Sequence, residues 1–197
     1  MSSLENEARP LLLPLIQGTP VALTAPEQLV VATWAVKTAM VFDLTRVTAY
    51  FSQQERDYLY QARAQGRLGP PFPPHTFVWL ATCENDKIGL SATASELSGV
   101  GRGGDGQEMT VQGHVATISA GAFVTQVLIV RRPPEEPIHE PDPTGLWDRA
   151  TVRIWPLGGT QVHLPPEVLL NDQTLFDYAL RWPLVSSEAR PVASPSA

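Results

Sequence analysis

Hydrophobic and polar positions divide the chain into a helical opening, an alternating middle and a helical end. Leu4, Ala8, Leu11, Leu12, Leu15 and Ile16 recur at three- and four-residue spacing. They predict a helix from Ser2 to Ile16 that stops at Gly18. Ser2 and Glu5 stand at capping-box spacing, where hydroxyl and carboxylate satisfy each other's backbone N–H groups. Pro10 and Pro14 each remove a helical donor, so a kink or two short pieces is expected. A second helix starts at Thr24-Ala25-Pro26-Glu27 with an N-cap, an early proline and a capping acid. It is expected to reach Thr45 or Ala49. Leu29, Val30, Ala32, Trp34, Val36, Ala39, Met40, Val41 and Phe42 cover more than one of its faces, which predicts the central core helix. A third, amphipathic helix starts at Ser52, with Glu55 three residues on, and ends near Gly66 or Gly69.

Pro70-Pro71-Phe72-Pro73-Pro74 closes the helical regime and reads as extended chain. Short β-rich runs follow at Thr76 to Thr82 and Lys87 to Thr93, around a turn at Glu84-Asn85-Asp86. Gly99 to Gln107 reads as a glycine-rich loop. Met109 to Ile118 and Ala122 to Val130 form the strongest hairpin, turning at Ser119-Ala120-Gly121. Arg131 to Pro143 reads as an exposed, proline-rich acidic excursion. Ala150 to Trp155 and Thr160 to Leu164 are two further short strands, and Asn171 or Asp172 caps a last helix that reaches Trp182. Segregated helices and strands argue for an α+β fold. About three N-terminal helices should pack on an antiparallel sheet of about five or six strands, with one C-terminal helix. The expected organisation is one domain over residues 1–185, with a helical part at 1–69, a sheet part at 75–164 and a helix at 171–182. Residues 186–197 read as a disordered tail.

At 197 residues the chain can bury one sizeable core. A net charge of −6, with only 17% charged residues, is a poor match for nucleic-acid phosphates, so nucleic acid is not an expected partner. Cys83 is the sole cysteine, which excludes an internal disulfide and suits a reducing cytoplasm. Glu5 and Glu7 stand where a signal peptide would be basic, and no secretory signal is read. The apolar run from Leu29 is broken by Lys37, short of the roughly 20 residues a membrane span needs. The expected location is therefore cytoplasmic, without a membrane span.

Chemistry-bearing motifs are sparse. Gly99-Val100-Gly101-Arg102-Gly103-Gly104 matches GxGxxG, but Met109 onward alternates like a strand where a dinucleotide site needs a helix. His75, His114, His139 and His163 are too far apart in sequence for a helical metal pair, and surface or strand positions are expected for them. Cys83 reads as a small buried hydrophobe. Trp34, Trp79 and Trp155 read as core, and Trp147 and Trp182 as loop-flanking. Lys37 is the sharpest single residue: mid-helix among apolar neighbours, it must snorkel or pair with Glu5, Glu7 or Asp43. A structural ion pair with Glu5 is favoured over a ligand contact. No catalytic residue, metal or cofactor is predicted.

Several strings, in order, resemble a family of uncharacterised bacterial HNH-endonuclease-like proteins. They are the opening Met1 to Ile16, Leu29 to Asp43, His75 to Ala81, Gly113 to Val130, Val152 to Pro156 and Phe176 to Trp182. The resemblance implies the family's C-terminal companion domain without its N-terminal HNH/zinc module, and no catalytic residue transfers. It also implies a non-catalytic protein-interaction module, binding a protein partner or a second copy through Leu11, Leu12 and Leu15. Two alternatives stand beside it. One is a degenerate metal-dependent nuclease using Lys37, Glu5 and a distant histidine. The other is a small-ligand-binding domain with its pocket between helices and sheet.

Overall fold

A computed structural model describes residues 3–45, 49–64, 72–102, 108–131 and 146–186. Its elements run α1 (Ser3–Ile16), β1 (Val21–Thr24), α2 (Ala25–Asp43), α3 (Gln53–Ala64), β2 (Thr76–Thr82), β3 (Ser91–Arg102), β4 (Glu108–Ala120) and β5 (Phe123–Arg131). They continue with α4 (Leu146–Ala150), β6 (Thr151–Trp155), β7 (Gln161–Leu164) and α5 (Asp172–Ser186). Five antiparallel strands form one sheet in the order β3-β4-β5-β2-β6, and β1 pairs with β7 in a separate two-stranded sheet. The fold is α+β, with the N-terminal helices on the sheet and a C-terminal helix on its other face.

Alternation along the strands divides the core. Val78, Leu80, Ala116, Ile118, Val127 and Ile129 point to the face covered by α1 and α2. Phe77, Trp79, Val115, Leu128 and Val130 form a cluster on the opposite face, where Arg181 of α5 lies over Trp79. With both faces covered, β2 is buried at every position, which is why its sequence reads as a continuous run and not as alternation.

In α2, Gln28, Val31, Ala32, Ala35, Val36, Ala39, Met40 and Asp43 form one buried stripe at three- and four-residue spacing. Leu29, Val30, Trp34 and Phe42 are partly buried against the same core. The helix ends at Asp43, before the expected Thr45 or Ala49. The Asp43 carboxylate accepts from the backbone N–H groups of Tyr50 (2.8 Å) and Phe51 (2.9 Å), and so ties the chain back on itself.

Helix α1 runs unbroken through Pro10 and Pro14, where a kink or division was expected. The carbonyls that lose a donor belong to Asn6 and Pro10, both on the exposed face, where water can take the donor's place. Its end is the expected one. Gly18, at φ 68°, donates to the Leu15 carbonyl, and Thr19 donates to that of Pro14.

The surface expected at Leu11, Leu12 and Leu15 is not a surface. Leu12 and Leu15 are each 5% exposed in the main core, and Leu11 packs partly buried against it. The neighbouring helix α2 supplies the cover that an outside partner was expected to supply. Leu12→Ala is therefore expected to cost about 2 kcal/mol, the low end for a buried leucine. Leu13, 47% exposed, should change stability by less than about 0.5 kcal/mol on the same replacement. Urea midpoints compare the two, and equal costs would contradict this packing.

Two other expectations shift. Gly99–Arg102 are strand, not loop, registered with Val111 to Glu108 of β4, because backbone pairing needs no side chain. Strand β3 begins at Ser91, not Lys87, since the Asn85 side chain takes the Lys87 N–H and holds that stretch in a turn. The hairpin turn between β4 and β5 requires glycine at Gly121: φ is 56°, and a Cβ there would lie 2.5 Å from the Ile16 carbonyl oxygen. Residues 103–107, the excursion at 132–143 and the tail at 187–197 lie outside the described residues.

Candidate functional site

At one end of the helix-covered sheet face, the inward positions change from apolar to ionisable. Ala92 and Ala94 are followed on β3 by Glu96, Ile118 and Ala116 are followed on β4 by His114, and Val127 and Ile129 on β5 by Arg131. Register places Glu96 opposite His114, and His114 opposite Ile129. Above them, the link from α2 into α3 brings Tyr50, Phe51 and Glu55. Glu55 is the capping acid of α3. Its Oε2 accepts the Ser52 N–H at 2.6 Å, and the Ser52 hydroxyl accepts the Glu55 N–H at 3.2 Å.

The second oxygen of Glu55 serves the sheet. Arg131 Nε donates to Glu55 Oε1 at 3.2 Å. Arg131 Nη2 donates to the Tyr50 carbonyl and, at 3.4 Å, to His114 Nδ1. Arg131 Nη1 lies 3.8 Å from Glu96 Oε1. The Phe51 ring stands edge-on to the His114 imidazole, with centroids 4.1 Å apart. Behind this group, Arg56 donates to Asp43 Oδ2 at 3.2 Å, so the carboxylate that ends α2 also anchors α3.

Burial dominates the electrostatics of His114. It disfavours the imidazolium and brings the pKa down to about 4; Arg131 acts the same way, while Glu55 and Asp43 oppose it. His114 is therefore neutral at pH 7 and accepts from Arg131 through Nδ1. Its Nε2 is buried and has no hydrogen-bond partner among the described residues. Burial alone would raise the Glu55 pKa. The Ser52 N–H, His114 and Arg131 outweigh it and hold the carboxyl below its ordinary value.

Tyr50, Glu55, Glu96 and Arg131 of this group line a cleft of ≈ 780 Å³ between α3 and the sheet, with Tyr58 and Pro73 among its other walls. Its proline wall is held by local bonds. The Thr76 hydroxyl donates to the Pro73 carbonyl at 2.7 Å, and Val130 N–H donates to the His75 carbonyl at 3.1 Å. His75 itself sits at φ 56°, a conformation few side chains adopt, and turns the chain from that wall into β2.

Of the residues singled out in the sequence, Lys37 and Glu5 do meet: Lys37 Nζ donates to Glu5 Oε1 across the α1–α2 seam. Each is about a third exposed, at 34% and 33%, so the lysine reaches the surface along its stem. Neither lines the cleft. Cys83 is buried beside Ala81, Val124 and Leu170, and burial pushes its thiol pKa up. Trp79 is core, and Trp34 and Trp155 are partly buried against it. His163 is exposed on β7, and His139 lies outside the described residues. Among the described residues no three His, Cys, Asp or Glu side chains converge to hold a metal ion.

The residues that build the cleft were missed. The available signal was a polar residue at an inward position of an alternating strand, which is how Glu96 and Arg131 stand in the cleft wall, and His114 in contact with Arg131. A second polar cluster lies on the opposite face. Gln126 Nε2 donates to Thr117 Oγ1 (2.9 Å) and to the Tyr178 carbonyl (3.1 Å), while Arg181 Nε donates to Gln126 Oε1 (2.8 Å). With the Arg181 guanidinium over the Tyr178 ring, this set fastens α5 to the sheet.

No helix among the described residues is long and apolar enough to cross a membrane. Comparison with family models, curated proteins and solved structures returns no match.

Proposed function

We propose that this chain is a small-ligand-binding domain, with its site in the cleft between α3 and the β3–β4–β5 end of the sheet. The observation that carries the reading is the cleft itself. Its ≈ 780 Å³ lies within the roughly 300–1,000 Å³ range of small-molecule sites. Its walls mix tyrosine and proline with charged groups already locked in place by Ser52 and the Tyr50 backbone. Such pre-ordering lowers the entropy cost of binding.

The alternatives draw less support. Partner binding through α1 loses its motive once Leu12 and Leu15 are core. A nuclease built on Lys37 and Glu5 gains nothing from two groups that neutralise each other outside the cleft. Kinship with the companion domains of HNH-endonuclease-like proteins stays a proposal about ancestry, supported by the ordered strings, and it assigns no residue of the cleft.

A small-fragment screen by amide-resolved NMR tests the reading. Binders should shift Tyr50, Ser52, Glu55 and Glu96. Tyr58→Ala should weaken them by roughly fivefold, the loss of one ring contact, with the melting temperature unchanged. Binders that perturb only other surfaces would overturn it.

A further inference from the structure

We infer that the cleft takes a small organic cation, an amine or ammonium carried on an apolar body, with Glu96 as its counter-ion. This deepens the ligand-binding reading and rests on it.

The charge on the cleft walls points this way. Two carboxylates, Glu55 and Glu96, and one guanidinium, Arg131, line it. Two of the three guanidinium nitrogens of Arg131 are already committed. Its Nε is on Glu55, and its Nη2 is on the Tyr50 carbonyl and on His114 Nδ1. His114 adds no positive charge, because the nitrogen facing the guanidinium acts as an acceptor. The Glu55–Arg131 pair is thus internally balanced, and Asp43 with Arg56 forms a second balanced pair behind it.

Glu96 is left over. It is 60% exposed, and its cationic neighbour among the described residues is Arg131 Nη1 at 3.8 Å, beyond hydrogen-bond range. An exposed contact of that length is screened by water and worth little. Among the described residues, the cleft therefore carries one negative charge that is only weakly neutralised.

An incoming anion would find Arg131 Nε and Nη2 occupied, and the remaining Nη1 beside Glu96, which repels it. An incoming cation finds Glu96 on one wall, together with the Tyr58 side chain on another. Tyrosine faces attract cations through the ring quadrupole, by about 0.5–2 kcal/mol according to desolvation. Tyr50 and Tyr58 line the cleft with Pro73 and Pro74, so an ammonium at Glu96 would have apolar surface for the rest of its body.

Three probes of matched shape distinguish the charges: 2-phenylethylammonium, 2-phenylethanol and 3-phenylpropionate, titrated by NMR into the full chain at pH 7 and low salt. The ammonium should bind tightest, and Glu96→Gln should weaken it by about tenfold, as expected for loss of one partly desolvated charge contact. The same variant should leave 2-phenylethanol unchanged and, being a substitution at an exposed site, should keep the melting temperature. Tighter binding of the carboxylate or the alcohol at the cleft amides would overturn the cation inference and leave the cleft reading standing. An ammonium that binds the cleft equally well in Glu96→Gln would also overturn it. If none of the three shifts the cleft amides up to its solubility limit, both readings fall.

Discussion

Replacing Glu55 with alanine is expected to cost about 4 kcal/mol of folding free energy. About 1 kcal/mol is the capping box at the start of α3, since Ala offers no oxygen to the Ser52 N–H. About 3 kcal/mol comes from breaking a buried ion pair and leaving Arg131 uncompensated. That is the low end for such a break, because Arg131 is one-third exposed and water relieves part of the penalty. Glu55→Gln should cost about half as much, because an amide oxygen still accepts from one of the two donors. The double variant Glu55→Ala with Arg131→Met should cost less than the two single changes added together, as coupled partners do. Urea unfolding followed by circular dichroism measures all four. A loss below about 1 kcal/mol for Glu55→Ala would mean the pair is fully screened, and the cleft would lose its rigid wall.

Acid should weaken the protein through His114 before its carboxylates titrate. In the unfolded chain the imidazole takes up its proton near the ordinary 6.5; in the folded chain burial delays this to about 4. Between those values the unfolded state holds more protons, so stability falls as pH falls and the loss is complete near pH 4. At about 1.4 kcal/mol per pH unit across that window, the contribution is about 3 kcal/mol. Glu55 acts in the same direction lower down: its depressed pKa supplies stability above its ordinary 4.5 that disappears as the folded carboxyl protonates. Urea midpoints between pH 7 and pH 4 should fall more steeply for the native chain than for His114→Gln, which lacks the imidazole. The His114 ring resonances should hold their neutral positions until close to pH 4. An imidazole that titrates at 6.5 in the folded protein would refute this account.

Local chemistry made much of the fold legible. Glu27 accepts the Thr24 N–H at 2.8 Å, as the capping spacing implied, and Ser52 with Glu55 does the same for α3. Gly18 ends α1, and the turn at Gly121 joins the hairpin that alternation marked out. Each of these depends on residues close in sequence, so spacing suffices to find them. The leucines of α1 show where spacing stops. An apolar stripe at Leu11, Leu12 and Leu15 establishes that something covers it, and the stripe is the same whether the cover is α2 or another molecule. The pairing of β1 with β7, Val21 opposite Leu164, was not foreseen, since four-residue strands far apart in the chain carry no local sign of each other.

The cleft marks the same boundary more sharply. Glu55 is readable from the sequence as a capping acid, and that role occupies only Oε2. Its Oε1 meets Arg131, 76 positions away, once β5 lies beneath α3. His114 and Glu96 likewise stand at inward strand positions, and their partners depend on what covers that face. By itself, then, the sequence determined most of the helices and strands and their α+β segregation, the caps, and the need of Lys37 for an acidic partner or an exit to the surface. These follow from periodicity, spacing and the cost of an unpaired charge. Only the tertiary structure decided which polar groups converge, because strand register and helix docking bring together atoms that no short-range pattern connects.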